Sequence, residues 1–195
     1  LVDLKEEYDC SAMVDEAHAT GIFGRQGAGL VQEEGLEDRV DLIMGTFSKA
    51  LAGFGAYLAC SRKIADYLIN TCRGFIYSTA LPPAVIASNL ASIRIVKEEP
   101  FRRERVLTSA SYFRNALRKK GFLIRGESQI VPVVIGENVK ALELSLALKE
   151  KGYYVLPIRP PTVPAGEARL RFSLTFYQDN GILQRLIDDI DALRI

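Results

Sequence analysis

The chain has no excess of charge of either sign: 25 lysines and arginines stand against 24 aspartates and glutamates over 195 residues, a formal net charge of +1. Without a basic surplus, a face that tracks a nucleic-acid backbone is not expected. No apolar run approaches the ~20 residues a helix needs to cross a bilayer, and the opening residues lack the charged-then-apolar pattern of a signal peptide. Cysteine is scarce. Cys10, Cys60 and Cys72 are odd in number, far apart and outside any CxxC pattern. That argues against a disulfide framework or a metal site, and for reduced thiols in a cytoplasmic protein. Internal repeats and low-complexity stretches are absent too. So is an initiator methionine: the chain opens Leu1-Val2-Asp3-Leu4 and its best candidate strand arrives almost at once. The expectation is a piece of a longer protein.

What the chain does have is apolar residues, 48% of the total, enough for a real core in one domain or two small ones. Residues 4–9 are polar and read as a loop or a frayed helix end. Short apolar runs at Cys10–Val14 and Leu42–Phe47 are too brief for helices and read as buried strands. Ala56–Cys60 reads as a further strand, antiparallel or at an edge. Between the first two lies Gly21-Ile22-Phe23-Gly24-Arg25-Gln26-Gly27-Ala28-Gly29, too rich in glycine for either regular structure, and therefore a loop. Ser61 is a good N-cap for a helix through Cys72, with Ile64, Leu68, Ile69 and Cys72 on one face and Gly74 as its stop. Phe75–Thr79 reads as a short strand or extended segment. Pro82-Pro83 opens a helix that runs to Val96, apolar over most of its surface as a helix deep in a domain would be.

At Lys97–Pro100 the composition turns charged, which places a domain boundary between residues 1–97 and 98–195. Phe101–Lys120 reads as a long surface helix stopped by Gly121, with Arg102, Arg103 and Arg105 on a solvated face. A strand at Ile130–Ile135 contains Pro132, so an edge position or a bulge is expected. Asn138 is the expected cap of a helix through Lys151, and Tyr153–Leu156 the next strand. A Pro-rich loop over 157–164 follows, then an alternating strand at Arg169–Thr175 and an amphipathic helix from Asp179. Tyr8, Tyr57 and Tyr67 read as packing aromatics. The fold class is α/β in the first part, with a small α+β layer after it.

Two of these strands end on chemistry. Met13-Val14-Asp15-Glu16-Ala17-His18 delivers an acid and the only histidine, and Gly45-Thr46-Phe47-Ser48-Lys49 delivers a lysine followed by small residues. C-terminal ends of neighbouring strands are where open α/β sheets bind ligands. A pyridoxal-phosphate site requires a lysine to form a Schiff base, an acid facing the pyridine nitrogen, and polar donors for the phosphate and phenolic oxygen. Lys49 and Asp15 suit the first two requirements, and His18 could reach the phenolic oxygen and Thr46 the phosphate. Read singly, each residue has a bland alternative: a solvated lysine at a turn, a structural histidine, an exposed arginine on a strand, a threonine shaping a turn between prolines.

DEAHATGIFGRQGAG, GTFSKALAGFGAY, FIYSTALPP and IRPPTVPAGEARLRFSLT, in this order, resemble the α-oxoamine synthases, which are fold-type-I pyridoxal-phosphate enzymes. The resemblance covers essentially the whole chain but only the later part of a family member. It implies the C-terminal part of a PLP-binding large domain, a mainly parallel sheet flanked by helices, followed by a small C-terminal domain. It implies pyridoxal 5'-phosphate as cofactor and a homodimer with a shared active site. By resemblance Asp15 pairs with the pyridine nitrogen, His18 with the phenolic oxygen, Lys49 forms the Schiff base, and Thr46 holds the phosphate, with Ser48 beside it. Thr79 reaches the phosphate of the neighbouring subunit. Arg171 binds the amino acid carboxylate, and Thr162 lines the acyl side with Arg159 nearby. The likeness is strongest toward members that join L-alanine to pimeloyl-CoA or a pimeloyl carrier protein; sister enzymes use glycine or serine with other acyl thioesters.

A different class also matches locally, since MVDEAH after an apolar run is like the magnesium-binding segment of a DEAH-box ATPase. No GxxxxGK[ST] loop and no arginine-rich late motif accompany it, and the charge balance is neutral. A catalytically silent module is the third reading.

Overall fold

The two apolar runs that end on Asp15 and before Lys49 become adjacent strands. β1 (Met13–Asp15) lies parallel to β2 (Leu42–Thr46), with Val14 opposite Ile43 and Asp15 opposite Met44. β3 (Ala56–Cys60) pairs antiparallel with β2 at the edge of the sheet, in the order β1-β2-β3. The structure, a computed structural model, describes residues 1–193. It divides into two units, Leu1–Arg103 and Glu104–Ile195, and the division falls inside a helix.

In the first unit α1 (Val2–Glu7) precedes β1, and α2 (Leu30–Glu33) lies between β1 and β2. Residues 4–9 are thus mostly helical. The strand starts are tied together by Asp41, which accepts a hydrogen bond from the Ala12 N–H at 2.8 Å and an ion pair from Lys5 at 3.0 Å. Both bonds hold the Asp41 carboxyl below the usual carboxylate range, the backbone bond contributing most. After β3, Ser61 caps α3 (Arg62–Thr71), its hydroxyl accepting from the Ile64 N–H at 3.4 Å. Such caps contribute about 1 kcal/mol.

Two expectations fail next. Phe75 and Ile76 are not extended but lie in a single-turn helix, α4 (Arg73–Ile76), closed by bonds from the Phe75 and Ile76 N–H groups to the Cys72 carbonyl. Gly74 sits inside that turn rather than ending α3. The helix expected to be deep, α5 (Pro83–Glu98), buries only Asn89, and Ile86, Leu90 and Ile95 face solvent. Apolarity sets what a helix surface loses by exposure, not what is at hand to cover it. α3 likewise buries no residue, and Tyr8 and Tyr67 are exposed rather than packed.

The second unit is built on α6 (Phe101–Lys119), which sends Val106, Ala110, Phe113 and Leu117 inward at helical spacing. β4 (Leu123–Ile124), β5 (Ile130–Gly136), β6 (Leu156–Ile158) and β7 (Ala168–Ser173) form an antiparallel sheet in the order β4-β5-β7-β6. α7 (Asn138–Glu150) and α8 (Asn180–Ala192) complete the unit. Alternation along β7 is strict: Ala168, Leu170 and Phe172 are buried, Arg169 and Arg171 half-buried. The inward residues join Val131, Val133, Leu183, Ile187 and Ile190 in one core, with the Phe113 and Phe172 rings edge to face at 5.2 Å. Each such side chain contributes about 1.5–3 kcal/mol on burial.

Pro132 lies between two partner strands, not at an outer edge. Its carbonyl accepts from Arg125 N–H on the β4 side, where the two-residue β4 has already ended, so the missing proline N–H breaks no ladder bond. The irregularity anticipated for this strand is at Val134/Gly136. Asn138 is the first helical residue of α7 and not its cap; Glu137 holds that place without a side-chain bond. Asp179 does cap α8, accepting from the Ile182 N–H at 2.8 Å. The basic run near α6 is not simply solvated. Arg102 pairs with Glu99, Arg103 donates to the Val96 and Arg25 carbonyls, and Arg105 lies over the Phe176 ring.

Candidate functional site

Because β1 and β2 are parallel, Asp15 and Thr46 end at the same side of the sheet, with Thr46 two residues further along than Asp15's partner Met44. The Glu16 N–H continues the ladder to the Met44 carbonyl at 2.7 Å. Asp15 is exposed, and its Oδ1 accepts from the Ala17 N–H at 2.8 Å, which turns the chain sharply toward His18. His18 is exposed at that turn.

Thr46 is buried at the end of β2 and directs the loop that follows. Its hydroxyl donates to the Gly55 carbonyl at 3.0 Å, accepts from the Ser48 N–H at 3.2 Å and meets the Ser48 hydroxyl at 2.8 Å. The Phe47 N–H donates to the Gly55 carbonyl and the Gly53 N–H returns to the Phe47 carbonyl at 2.7 Å, closing residues 47–55 into a compact loop. Lys49 stands exposed on it, its amine making no hydrogen bond or ion pair among the described residues. A primary amine without a partner, on a loop that follows a strand paired in parallel with the one ending at Asp15, is a group suited to carbonyl chemistry.

The glycine-rich stretch supports this loop by close packing. A side chain at Gly21 would meet the Ala50 Cβ at 3.0 Å, next to Lys49, and one at Gly29 would overlap the Glu16 carboxylate. Glu16 is 2% exposed, and its Oε1 accepts from the Val31 N–H at 2.6 Å. The two acids of Asp-Glu therefore do different things: Asp15 faces out at the strand end, and Glu16 anchors the start of α2. Thr79 is exposed in the segment between α4 and α5, and that segment touches the lysine loop where Leu81 approaches Gly55.

In the second unit Arg171 sits on β7 opposite Pro132 and Leu156, on the face away from the core. Its neighbour on that face, Arg169, is occupied by Glu167 at 2.6 Å. Arg171 has no such bond among the described residues, so its guanidinium fork is available to an anion. Arg159 follows β6 and accepts at its carbonyl the Thr162 N–H at 3.1 Å, around the cis Pro160–Pro161 bond. Both residues are exposed.

Sequence reasoning missed Asn89 and Glu16, and of the three tyrosines read as packing only Tyr57 does so, against Phe47. The available signal for Asn89 was one amide within the apolar run Val85-Ile86-Ala87-Ser88-Asn89-Leu90. Among the described residues no group of metal ligands is assembled and no helix is long and apolar enough to cross a membrane.

Residues 1–190 match the family described as aminotransferase class I and II. A protein of Halalkalibacterium halodurans, provisionally named 8-amino-7-oxononanoate synthase, is 51% identical over 90% of this chain and 45% of its own length. The 8-amino-7-oxononanoate synthase of Chlorobaculum parvum is 47% identical over 99% of this chain and 47% of its own. Among solved structures, SPT with its PLP internal aldimine superposes with a TM-score of 0.93 at 31% identity, over 98% of this chain and 49% of the other. The chain thus spans about half the length of the curated relatives it matches.

Proposed function

Because the chain belongs to the aminotransferase class I and II family, we propose that it carries the lysine, pyridine-facing acid and carboxylate-binding arginine of a pyridoxal-5'-phosphate-dependent C-acyltransferase. The reaction is the decarboxylative condensation of L-alanine with a pimeloyl thioester, on CoA or a carrier protein. Its products are 8-amino-7-oxononanoate, carbon dioxide and the free thiol, in the cytoplasmic synthesis of biotin. The observation that carries this reading is the pairing of Asp15 and the Lys49 loop at one end of two parallel strands, in a chain about half identical to relatives of that name.

The groups present fit the cofactor: a primary amine without an internal partner, an exposed carboxylate, and hydroxyls at Thr46 and Ser48. When bound, pyridoxal phosphate supplies an aldehyde for the lysine and a ring that accepts carbanion electrons. Asp15 holds the proton on the pyridine nitrogen, and His18 hydrogen-bonds the phenolic oxygen. Thr46, Ser48 and, from the neighbouring subunit of a homodimer, Thr79 hold the phosphate. Arg171 holds the amino acid carboxylate as a two-pronged donor. Lys49 takes the α-proton of the amino acid and returns one after carbon dioxide has left. Thr162 and Arg159 line the acyl side.

A sister α-oxoamine synthase that uses glycine or serine is the second reading, favoured by the close superposition on SPT. The test is a substrate panel with the full-length protein, pairing alanine, glycine and serine with pimeloyl, acetyl, succinyl and palmitoyl thioesters. Turnover confined to alanine with the pimeloyl thioester is expected; preference for serine with palmitoyl-CoA would replace the first reading by the second.

A further inference from the structure

One buried amide holds the lysine loop from the side of α5. Asn89 is 5% exposed and is the one buried residue of α5. Its Nδ2 donates to the Phe54 carbonyl at 2.9 Å and its Oδ1 accepts from the Phe54 N–H at 3.4 Å. A side chain on Gly53 would overlap that same Oδ1. The amide orientation follows from its partners, because the flipped form would set donor against donor and acceptor against acceptor. A carboxamide is the side chain that offers a donor and an acceptor together to one residue's backbone. Leaving either end unpaired at a buried position is costly.

The loop has two arms. The outgoing arm is set by Thr46, through its bonds to Ser48 and Gly55. The returning arm, Gly53-Phe54, is set by Asn89, and Lys49 lies between them. The turn between the arms includes Ala52 at a φ of 50°, a left-handed conformation that a non-glycine residue adopts only when its surroundings impose it. We propose that Asn89 is a positioning residue for Lys49: by clamping Phe54 and fitting against Gly53, it fixes the loop in the shape that presents the lysine amine. The inference rests on the reading of Lys49 as the cofactor lysine.

The test uses the full-length protein and three variants. Asn89→Leu removes both bonds. Asn89→Asp keeps the acceptor but places an oxygen against the Phe54 carbonyl. Gly53→Ala sets a methyl group against the Asn89 Oδ1 and pushes the loop off the amide while leaving residue 89 an asparagine. The readouts are the fraction of cofactor fixed to Lys49 by borohydride, the pH midpoint of the visible absorption band, kcat, and KM for the amino acid. Expected are a kcat lower by about 10–100-fold, KM within about threefold of wild type, and a midpoint shifted by about one pH unit. Gly53→Ala should reproduce the pattern, and the double variant Gly53→Ala/Asn89→Leu should be little worse than either single change. If the variants lower Tm while kcat and the pH midpoint stay at wild-type values, Asn89 is structural and the proposal fails. Lys49→Ala is run alongside. Borohydride-fixed cofactor surviving there overturns the reading of Lys49 itself, whatever the Asn89 variants do.

Discussion

The Tyr57 ring fills the space a side chain at Gly45 would need, directly across the β2–β3 pair. The tyrosine hydroxyl lies 3.0 Å from the Thr20 hydroxyl, and its ring meets Phe47 at a centroid distance of 5.6 Å. One aromatic therefore ties the edge strand to the turn after β1 and to the first residue of the lysine loop. Gly45→Ala should destabilise the protein by about 1–3 kcal/mol through overpacking, read from the urea midpoint. Combined with Tyr57→Ala, the cost should be less than the sum of the single changes. Simple additivity would show that the ring has room to move.

Asp15→Asn separates charge from shape. The amide can still accept from the Ala17 N–H, so the turn toward His18 should survive. On the proposed reading, what is lost is the anion that would face the pyridine nitrogen. Cofactor content should stay near wild type while kcat falls by about 100-fold or more. A variant with unchanged kcat would remove Asp15 from the site.

The two arginines on the outer face of β7 should respond differently. Arg171→Lys replaces a two-pronged donor by a point charge, and KM for the amino acid should rise by about 10–100-fold, the equivalent of a charge-assisted bond of about 1.5–3 kcal/mol. Arg169→Lys disturbs only the pair with Glu167, and should leave KM alone while costing less than about 1 kcal/mol of stability. Reversed phenotypes would exchange the roles of the two residues.

Asp41 gives the first unit an acid sensitivity. Its carboxyl is held low, mainly by the Ala12 N–H and then by Lys5. A depressed folded-state value means the stabilisation is fully present above the ordinary carboxylate range, and is lost as pH falls through the lowered value. The urea midpoint should hold steady above about pH 5 and drop as pH falls below it toward the lowered value, and Asp41→Asn should flatten that drop. An equally steep profile in the variant would assign the sensitivity to other carboxylates.

What could be read from the sequence was local. The run Leu42–Phe47 became β2 within one residue, and Ser61 and Asp179 cap the helices that their positions announce. Asp15 ends one apolar run and Lys49 follows another, and the parallel pairing of β1 and β2 brings the ends of those runs to the same side of the sheet. The failures concern competition with distant partners. Phe75–Thr79 reads as a short strand or extended segment, yet backbone bonds to Cys72 and the Ser78 hydroxyl on the Gly74 carbonyl close a helical turn at its start. The strand expected at Tyr153 begins at Leu156, because the Tyr153 N–H is spent on the Leu148 carbonyl and the Val155 carbonyl on Ser145. Asn89 meets Phe54 across 35 positions, a separation that no local pattern encodes.

The buried clusters are very unequal. The second unit holds one continuous core running from Ala110 to Ile190, whereas the cluster in the first unit comprises Val2, Val31 and Val40. Buried apolar cohesion is thus concentrated in the later part of the chain. On heating, β1, β2 and the loop bearing Lys49 have the least to hold them, so the proposed site would come apart while much of the helical signal from α6, α7 and α8 persisted.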